Sequence, residues 1–131
     1  MTFDPNEQTP DPDEVRERVD SLIENNELVL FMKGNELMPQ CGYSKKAVGL
    51  LTQYRDDLVT EDVLSATEAY RDALESHSGW ETIPQTFVDG EFIGGSDILE
   101  EFHQRGALAD ELNADPDDAP EPADGGAEAP F

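Results

Sequence analysis

The spacing of apolar residues along the chain predicts four helices. In each one, apolar positions recur every three or four residues, which gathers them on a single face that packs against a core. The last helix is followed by one further helical turn. The predicted helices run from Asp13 to Asn25, from Ser44 to about Tyr54, from Ala66 to about Ser78, and from Ser96 until Gly106 ends the fourth, with the extra turn from Ala107 to Leu112.

The predicted strands are shorter than the helices. Leu28 to Met32 has five apolar residues in a row, as expected of a strand buried on both faces, whereas Leu58 to Val63 is only weakly strand-like. Thr86 to Val88 and Glu91 to Ile93 flank Asp89-Gly90, a dipeptide that favours a tight hairpin turn. Strands that alternate with helices, followed by a hairpin and a closing helix, predict an α/β layer with a mixed sheet of about four strands.

A chain of 131 residues has room for one domain with a modest core, which we assign to residues 13–112. Residues 1–12 contain three prolines and are expected to form a flexible acidic lead. Residues 113–131 hold six acidic residues, four prolines and no lysine or arginine, which predicts a disordered acidic tail. No apolar run is long enough for a membrane helix, and residues 1–13 lack the features of a secretory signal, so we expect a soluble cytoplasmic protein.

The sequence is strongly acidic, with 31 Asp and Glu residues against eight Lys and Arg and a formal net charge of −23. A field of this sign disfavours binding to the phosphates of nucleic acids. The tail explains only part of this charge, because acidic pairs such as Asp56-Asp57 and Glu100-Glu101 lie within the predicted domain. Acidity spread over a folded surface is expected where high salt screens the repulsion, so we expect a halophilic source.

Cys41 is the only cysteine, and it lies between the first strand and the second helix. A helix start presents unpaired N–H groups and the positive end of the helix dipole, so a cysteine there is expected to have a lowered pKa and to react as a thiolate. Lys33 and the Lys45-Lys46 pair add positive charge. The alternative, a buried and unreactive cysteine, is disfavoured by the flanks Pro39-Gln40 and Gly42-Tyr43-Ser44. Without a second cysteine, the thiolate must react with, or ligate alongside, an external group.

Two other loops carry candidate binding groups. The peptide bond before Pro84 is either cis or an ordinary trans bond; if it is cis, the backbone of Ile83 turns outward and can pair with an extended peptide. Gly94-Gly95 allows a close backbone approach, and the N–H groups of Ser96 and Asp97 begin a helix, an arrangement suited to a carboxylate. The Asp97 side chain either binds a ligand amine or only favours the helix dipole.

His77, His103 and Trp80 are further residues with possible site chemistry. Neither histidine has a cysteine or a second histidine at metal-ligand spacing, so we expect surface or helix-end roles for both. Trp80 is expected to pack against the fold, with contact to a partner as the alternative.

Four motifs of the chain occur in a fixed order: Phe31-Met32-Lys33-Gly34, Pro39-Gln40-Cys41-Gly42-Tyr43-Ser44, Trp80-Glu81-Thr82-Ile83-Pro84-Gln85, and Val88-Asp89-Gly90-Glu91 with Gly94-Gly95-Ser96-Asp97. Together these motifs resemble the monothiol (CGFS-type) glutaredoxins. The resemblance runs from about Asp13 to Leu112, with Tyr43 where the family usually has phenylalanine. It implies a thioredoxin-like fold, a cis bond before Pro84 and a groove for glutathione.

The resemblance also implies roles for individual residues. Cys41 is the expected reactive thiolate and the expected ligand of a two-iron two-sulfur (2Fe-2S) cluster. For glutathione, the matched positions are Lys33 and Arg71 for the glycine carboxylate, Ile83 for backbone pairing, and Ser96 and Asp97 for the γ-glutamyl end. If the external thiol is γ-glutamylcysteine, which lacks the glycine carboxylate, Lys33 and Arg71 lose their partner.

Two functions of different class follow from this resemblance. In the first, a cluster-bridged homodimer carries a 2Fe-2S cluster from a cluster donor to apo iron–sulfur proteins. In the second, a monothiol oxidoreductase removes glutathione from protein thiols through a mixed disulfide at Cys41, with the resolving thiol coming from solution. The loop from Lys33 to Cys41 and the segment Gly42-Tyr43-Ser44 resemble the cluster-binding class, so we favour the first function.

Overall fold

The computed structural model describes residues 11–114. The predicted lead and tail therefore lie almost wholly outside the described residues and stay predictions. Within the described range, a short 3-10 helix (Leu64–Ala66) precedes the third helix. In chain order the elements are α1 (Pro12–Asn25), β1 (Leu28–Met32), α2 (Gly42–Thr52), β2 (Val59–Asp62), α3 (Thr67–Ser78), β3 (Gln85–Val88), β4 (Glu91–Gly94), α4 (Ser96–Gln104) and α5 (Leu108–Glu111).

The four strands form one mixed sheet in the order β2-β1-β3-β4. Strand β1 runs parallel to β2 and antiparallel to β3, and β3 and β4 form the antiparallel hairpin that Asp89-Gly90 predicts. This confirms the predicted thioredoxin-like architecture of a four-stranded mixed sheet flanked by helices.

The apolar sequence of β1 places one core on each side of the sheet. All five residues of β1 are buried. Leu28, Leu30 and Met32 pack with side chains of α2, α4 and α5, whereas Val29 and Phe31 face the side chains of α1 and α3. Because strand side chains alternate between faces, the central strand fills both layers, and its carboxyl end is held rigidly where the loop to Cys41 begins.

Helix α2 begins two residues earlier than its apolar pattern predicts. Cys41 is its N-cap, with an extended backbone (φ −150°, ψ 138°), and Gly42 and Tyr43 form the first helical turn. Neither Gly42 nor Tyr43 is buried, so the apolar periodicity carries no information about this turn.

None of the helices within residues 11–114 is both long and apolar enough to cross a membrane.

Candidate functional site

The loop between β1 and α2 is a closed turn that carries Cys41 to the helix start. The Gln40 N–H donates to the Lys33 carbonyl at 2.9 Å, and Gly34 forms an isolated bridge with Pro39. Gly34 has φ +88°, and a Cβ at this position would lie 2.5 Å from the Met38 carbonyl oxygen. Glycine is therefore the residue that this turn requires.

Two side chains from other elements anchor the start of the loop. The Lys33 N–H donates to Ser44 Oγ of α2 at 3.0 Å, and the Gly34 N–H donates to Asp62 Oδ1 of β2 at 3.0 Å. Ser44 is fully buried, so its hydroxyl joins the end of the central strand to the first turn of α2. The position of Cys41 relative to the sheet is fixed by these contacts.

The surroundings of Cys41 favour its thiolate. Partial burial raises the pKa of the thiol, but the N–H groups of Ser44 and Tyr43, the Ser44 hydroxyl and the charge of Lys33 outweigh it, so the pKa lies below its ordinary value. This is the balance expected at a helix N-terminus, where unpaired N–H groups stabilise negative charge. The prediction of an activated sulfur thus has a physical basis in the structure.

The cations near Cys41 are not equivalent. Lys46 is bound to the Glu100 carboxylate of α4 at 2.8 Å, so the Lys45-Lys46 pair contributes less free charge than the sequence predicts. Lys33, Lys45 and Arg71 form no ion pair with any described residue. In a chain with 31 acidic residues, cations without a carboxylate partner are available to an anionic ligand.

A groove of about 590 Å³ opens beside the first turn of α2. It brings together the predicted residues Ile83, Ser96 and Asp97, and the Ile83-Pro84 peptide bond is cis. Neither the N–H nor the carbonyl of Ile83 forms a backbone hydrogen bond with a described residue. The groove is lined by Tyr43, Trp80, Thr82, Ile83, Pro84, Phe92, Ile93, Gly94, Gly95, Ser96, Asp97 and Ile98.

The glycine pair at the start of α4 makes its close approach within the protein. A Cβ on Gly95 would lie 2.9 Å from the Pro84 carbonyl oxygen, and Gly94, with φ +142°, lies against the Ile98 side chain. The absence of side chains at Gly94-Gly95 therefore lets the segment before β3 pack against the N-terminus of α4. Both segments contribute residues to the groove lining.

The remaining predicted residues, Lys33, Arg71 and Trp80, differ in their position relative to Cys41 and the groove. Lys33 acts on Cys41 through its charge, and Arg71 of α3 is partly exposed; neither of them is among the residues that line the groove. The expectation that Trp80 packs against the fold is wrong, because its side chain is 58% exposed at the groove. An apolar residue in a loop has no periodicity to reveal its orientation, which explains this error.

Comparison with known proteins now assigns the fold to a family. The family model described as glutaredoxin matches residues 28–93. A monothiol glutaredoxin (ycf64-like) of Synechocystis is 44% identical over 99 residues, which cover 76% of this chain and 92% of that protein. The chain belongs to the glutaredoxin family.

Solved glutaredoxin structures are similar to this fold. The solution structure of reduced poplar apo GrxS14 has a TM-score of 0.67 and 34% identity, covering 77% of this chain and 92% of that one. The crystal structure of a buckwheat glutaredoxin–glutathione complex has a TM-score of 0.64 and 28% identity, covering 84% of this chain and 94% of that one.

Sequence reasoning gave no individual role to two residues of this glutaredoxin site. Ser44 supports the thiolate and the loop, and Tyr43 lines the groove beside Cys41. Ser44 is the third residue after the N-cap Cys41, a spacing at which a first-turn residue meets the cap, and this spacing was the available signal.

The two histidines are engaged elsewhere in the glutaredoxin fold. His77 Nε2 lies 2.6 Å from Asp20 Oδ1 of α1, and His103 Nδ1 lies 2.6 Å from the Tyr54 hydroxyl. Both histidines are in the last turns of their helices. Within residues 11–114 there is no group of three or more His, Cys, Asp or Glu side chains arranged to hold a metal ion.

Proposed function

We propose that this glutaredoxin carries a 2Fe-2S cluster between two copies of the chain and delivers it to apo iron–sulfur proteins. The observation that carries the proposal is a single cysteine at the N-terminus of α2, beside a groove, whose surroundings lower its pKa and favour the thiolate. Cysteine thiolates are the usual ligands of such clusters, and four are needed. Two Cys41 thiolates supply half of the set, and two molecules of an external thiol supply the other half.

The groove has the chemistry to hold that external thiol. The backbone groups of Ile83 are free to pair with a peptide-like ligand, and the N–H groups at the start of α4 suit a carboxylate. The Asp97 carboxylate suits an ammonium group, and Lys33 suits a second carboxylate. Glutathione carries all these groups, and the similarity to the buckwheat glutaredoxin–glutathione complex supports it as the ligand.

The exposed apolar side chains support an interface between copies. Five of them belong to the loop before Cys41, to the first turn of α2 or to the groove. Leu64 lies beside the same loop, because its N–H and the Gly34 N–H share the Asp62 carboxylate. A partner that approaches Cys41 therefore covers apolar surface, as an interface core requires. The exposed fractions are 91% for Leu37, 65% for Met38, 60% for Tyr43, 58% for Trp80, 46% for Leu64 and 41% for Ile98.

A second function, the removal of glutathione from protein thiols, is supported by the lowered pKa of Cys41. In this reaction the thiolate attacks the glutathione sulfur of a protein mixed disulfide and releases the protein as a thiolate. A free glutathione thiolate then attacks the mixed disulfide at Cys41, which releases oxidised glutathione and restores Cys41. Both steps exchange one disulfide for another, so no further oxidant or reductant is needed.

Anaerobic reconstitution with iron, sulfide and glutathione tests the first function. We expect visible absorption of a 2Fe-2S cluster with two irons per two chains, a dimer by light scattering, and a monomer after the cluster is removed. Cys41→Ser should lose the absorbance and keep the circular dichroism of the fold. A stable monomer with two irons per chain, or an unchanged cluster in Cys41→Ser, would contradict the proposal.

A further inference from the structure

Gln85 places a buried amide behind the groove. It is the first residue of β3 and is 1% exposed. Its Nε2 donates to the Trp80 carbonyl at 2.8 Å, while its Oε1 is buried and has no hydrogen-bond partner among the described residues. The Trp80 N–H is held as well, since it donates to Ser78 Oγ at 3.0 Å. The amide is therefore engaged only through its donor.

This hydrogen bond closes the segment between α3 and β3 into a ring. Trp80 lies at one end of that segment, and Thr82, Ile83 and Pro84 follow it along the groove wall. The Gln85 side chain reaches back over these residues to the Trp80 carbonyl. At the other end, the Pro84 carbonyl packs against Gly95, the N-cap of α4. Both ends of the wall are thus fixed, one by an amide and the other by a close backbone contact.

We propose that Gln85 is a positioning residue of the thiol groove: its amide holds the Trp80 carbonyl and so sets the distance between the Ile83 backbone and the N-terminus of α4. The proposal rests on the thiol-binding role given to this groove above. Gln85 is not among the lining residues, so it acts on a ligand only through the wall that it holds.

The unpartnered oxygen allows this role to be distinguished from a contribution to stability. A buried polar atom without a partner costs free energy, so replacing Gln85 by methionine removes that cost together with the hydrogen bond. The Trp80 carbonyl also lies 3.2 Å from Ser78 Oγ, but the single proton of that hydroxyl is shared with the Leu74 carbonyl at 3.1 Å. Gln85→Met should therefore leave the melting temperature close to that of wild type. The groove wall, however, should no longer be held at its distance from the N-terminus of α4.

Trp80 is the only tryptophan of the chain and lines the groove, so its fluorescence reports occupancy. We would titrate the full-length chain with S-methylglutathione and S-methyl-γ-glutamylcysteine, whose blocked sulfur cannot react with Cys41. Gln85→Met should bind about tenfold more weakly than wild type. Thr86→Val is the matched control, because Thr86 Oγ1 is also buried and unpartnered among the described residues, whereas only Gln85 is bonded to the groove wall, through the Trp80 carbonyl. We expect it to bind as wild type does.

Gln85→Glu adds a pH-dependent test. A carboxylate has no donor, so binding relative to wild type should be weak at neutral pH; a protonated carboxyl regains an O–H donor, so relative binding should recover as the pH falls. Burial raises the pKa of a carboxyl, so this recovery should begin at a higher pH than the ordinary titration range of an exposed glutamate. Equal binding by wild type and Gln85→Met, equal loss in Thr86→Val, or no recovery in Gln85→Glu would overturn the role of Gln85. If wild type binds neither ligand, it is the proposed thiol-binding function that fails.

Discussion

At the scale of single residues, Ser44 links the backbone of the fold to its chemistry. Its buried hydroxyl accepts from the Lys33 N–H and also favours the Cys41 thiolate. A serine in the first turn of a helix is usually exposed, and nothing in the sequence pattern requires this one to be buried. The activation of Cys41 by a neighbouring helix N-terminus was predictable from the local sequence, although the residue at which α2 begins was not. The contacts of Ser44 and Gln85 depend on elements that meet only in the folded chain.

Ser44→Ala should raise the pKa of Cys41 toward the ordinary thiol value, because it removes a donor that favours the thiolate and frees the Lys33 N–H. The rate of alkylation by iodoacetamide, followed against pH, gives that pKa. The thiolate is the reacting form, so the midpoint should move to higher pH and the rate at neutral pH should fall. Ser76→Ala is the control, since Ser76 bonds only to its own helix. A midpoint that stays in place in Ser44→Ala would exclude the hydroxyl as a cause.

Asp97→Ala should make a reconstituted cluster labile, because it removes the carboxylate that we propose to pair with the ammonium group of the external thiol. A hydrogen bond of this charged kind corresponds to about tenfold or more in thiol affinity. Arg71→Ala should act similarly with glutathione and much less with γ-glutamylcysteine, which lacks the glycine carboxylate. Lys33→Ala should show the same difference between the two thiols, added to the loss of its charge beside Cys41. The measurement is the decay of cluster absorbance with each thiol. If Asp97→Ala decays no faster than wild type with either thiol, Asp97 is only a helix-start residue.

At the scale of elements, the site is the junction of β1, its following loop and α2. Both ends of β1 were predicted correctly, since its five consecutive apolar residues form the pattern of a strand that is buried on both faces. The loop was predicted only as a loop. Its closed form depends on Gly34, whose positive φ and tight contacts are fixed by Met38 and Gln40, and a single glycine in a sequence does not reveal such neighbours.

Gly34→Ala should destabilise the protein and disturb the site, because a Cβ would lie 2.5 Å from the Met38 carbonyl oxygen and 2.6 Å from the Gln40 nitrogen. Backbone strain of this kind costs about 1–3 kcal/mol. Gly49→Ala is the matched control: Gly49 lies within α2 with open space around it, so alanine should stabilise by about 0.5–1 kcal/mol. Urea unfolding measures both free energies, and a stabilised Gly34→Ala protein would be incompatible with the closed loop.

At the scale of the whole molecule, the exposed apolar residues and the many acidic residues are the two features of the surface that need an explanation. An apolar residue is ordinarily predicted to be buried, yet Leu37, Met38 and Trp80 are exposed near Cys41. Their exposure has no physical reason within one copy of the chain, so a single-chain pattern could not predict it. The acidic residues are not confined to the tail, since sixteen of the 31 are spread from Glu24 to Glu101 and belong to the folded part.

The melting temperature should rise steeply with salt, because this dense acid repels itself where ions are scarce. The Debye length falls from about 30 Å at 0.01 M to about 3 Å at 1 M, so the repulsion is screened at the higher concentration. Salt also weakens attractive pairs such as Arg18 with Glu61, but a partly exposed pair contributes only about 0–1 kcal/mol. The repulsion therefore dominates the change, and this is the halophilic behaviour that we propose for the protein.

Removal of residues 113–131 separates the contributions of tail and domain to this salt dependence. The segment holds only six of the 31 acidic residues, so its removal should reduce the rise in melting temperature only in part. Thermal unfolding followed by circular dichroism in potassium chloride from 0.01 M to 1 M is the measurement for both chains. If the shortened chain melts at the same temperature throughout, the charge of the tail explains the effect. If the full chain also shows no dependence, the acidic surface carries no adaptation to salt.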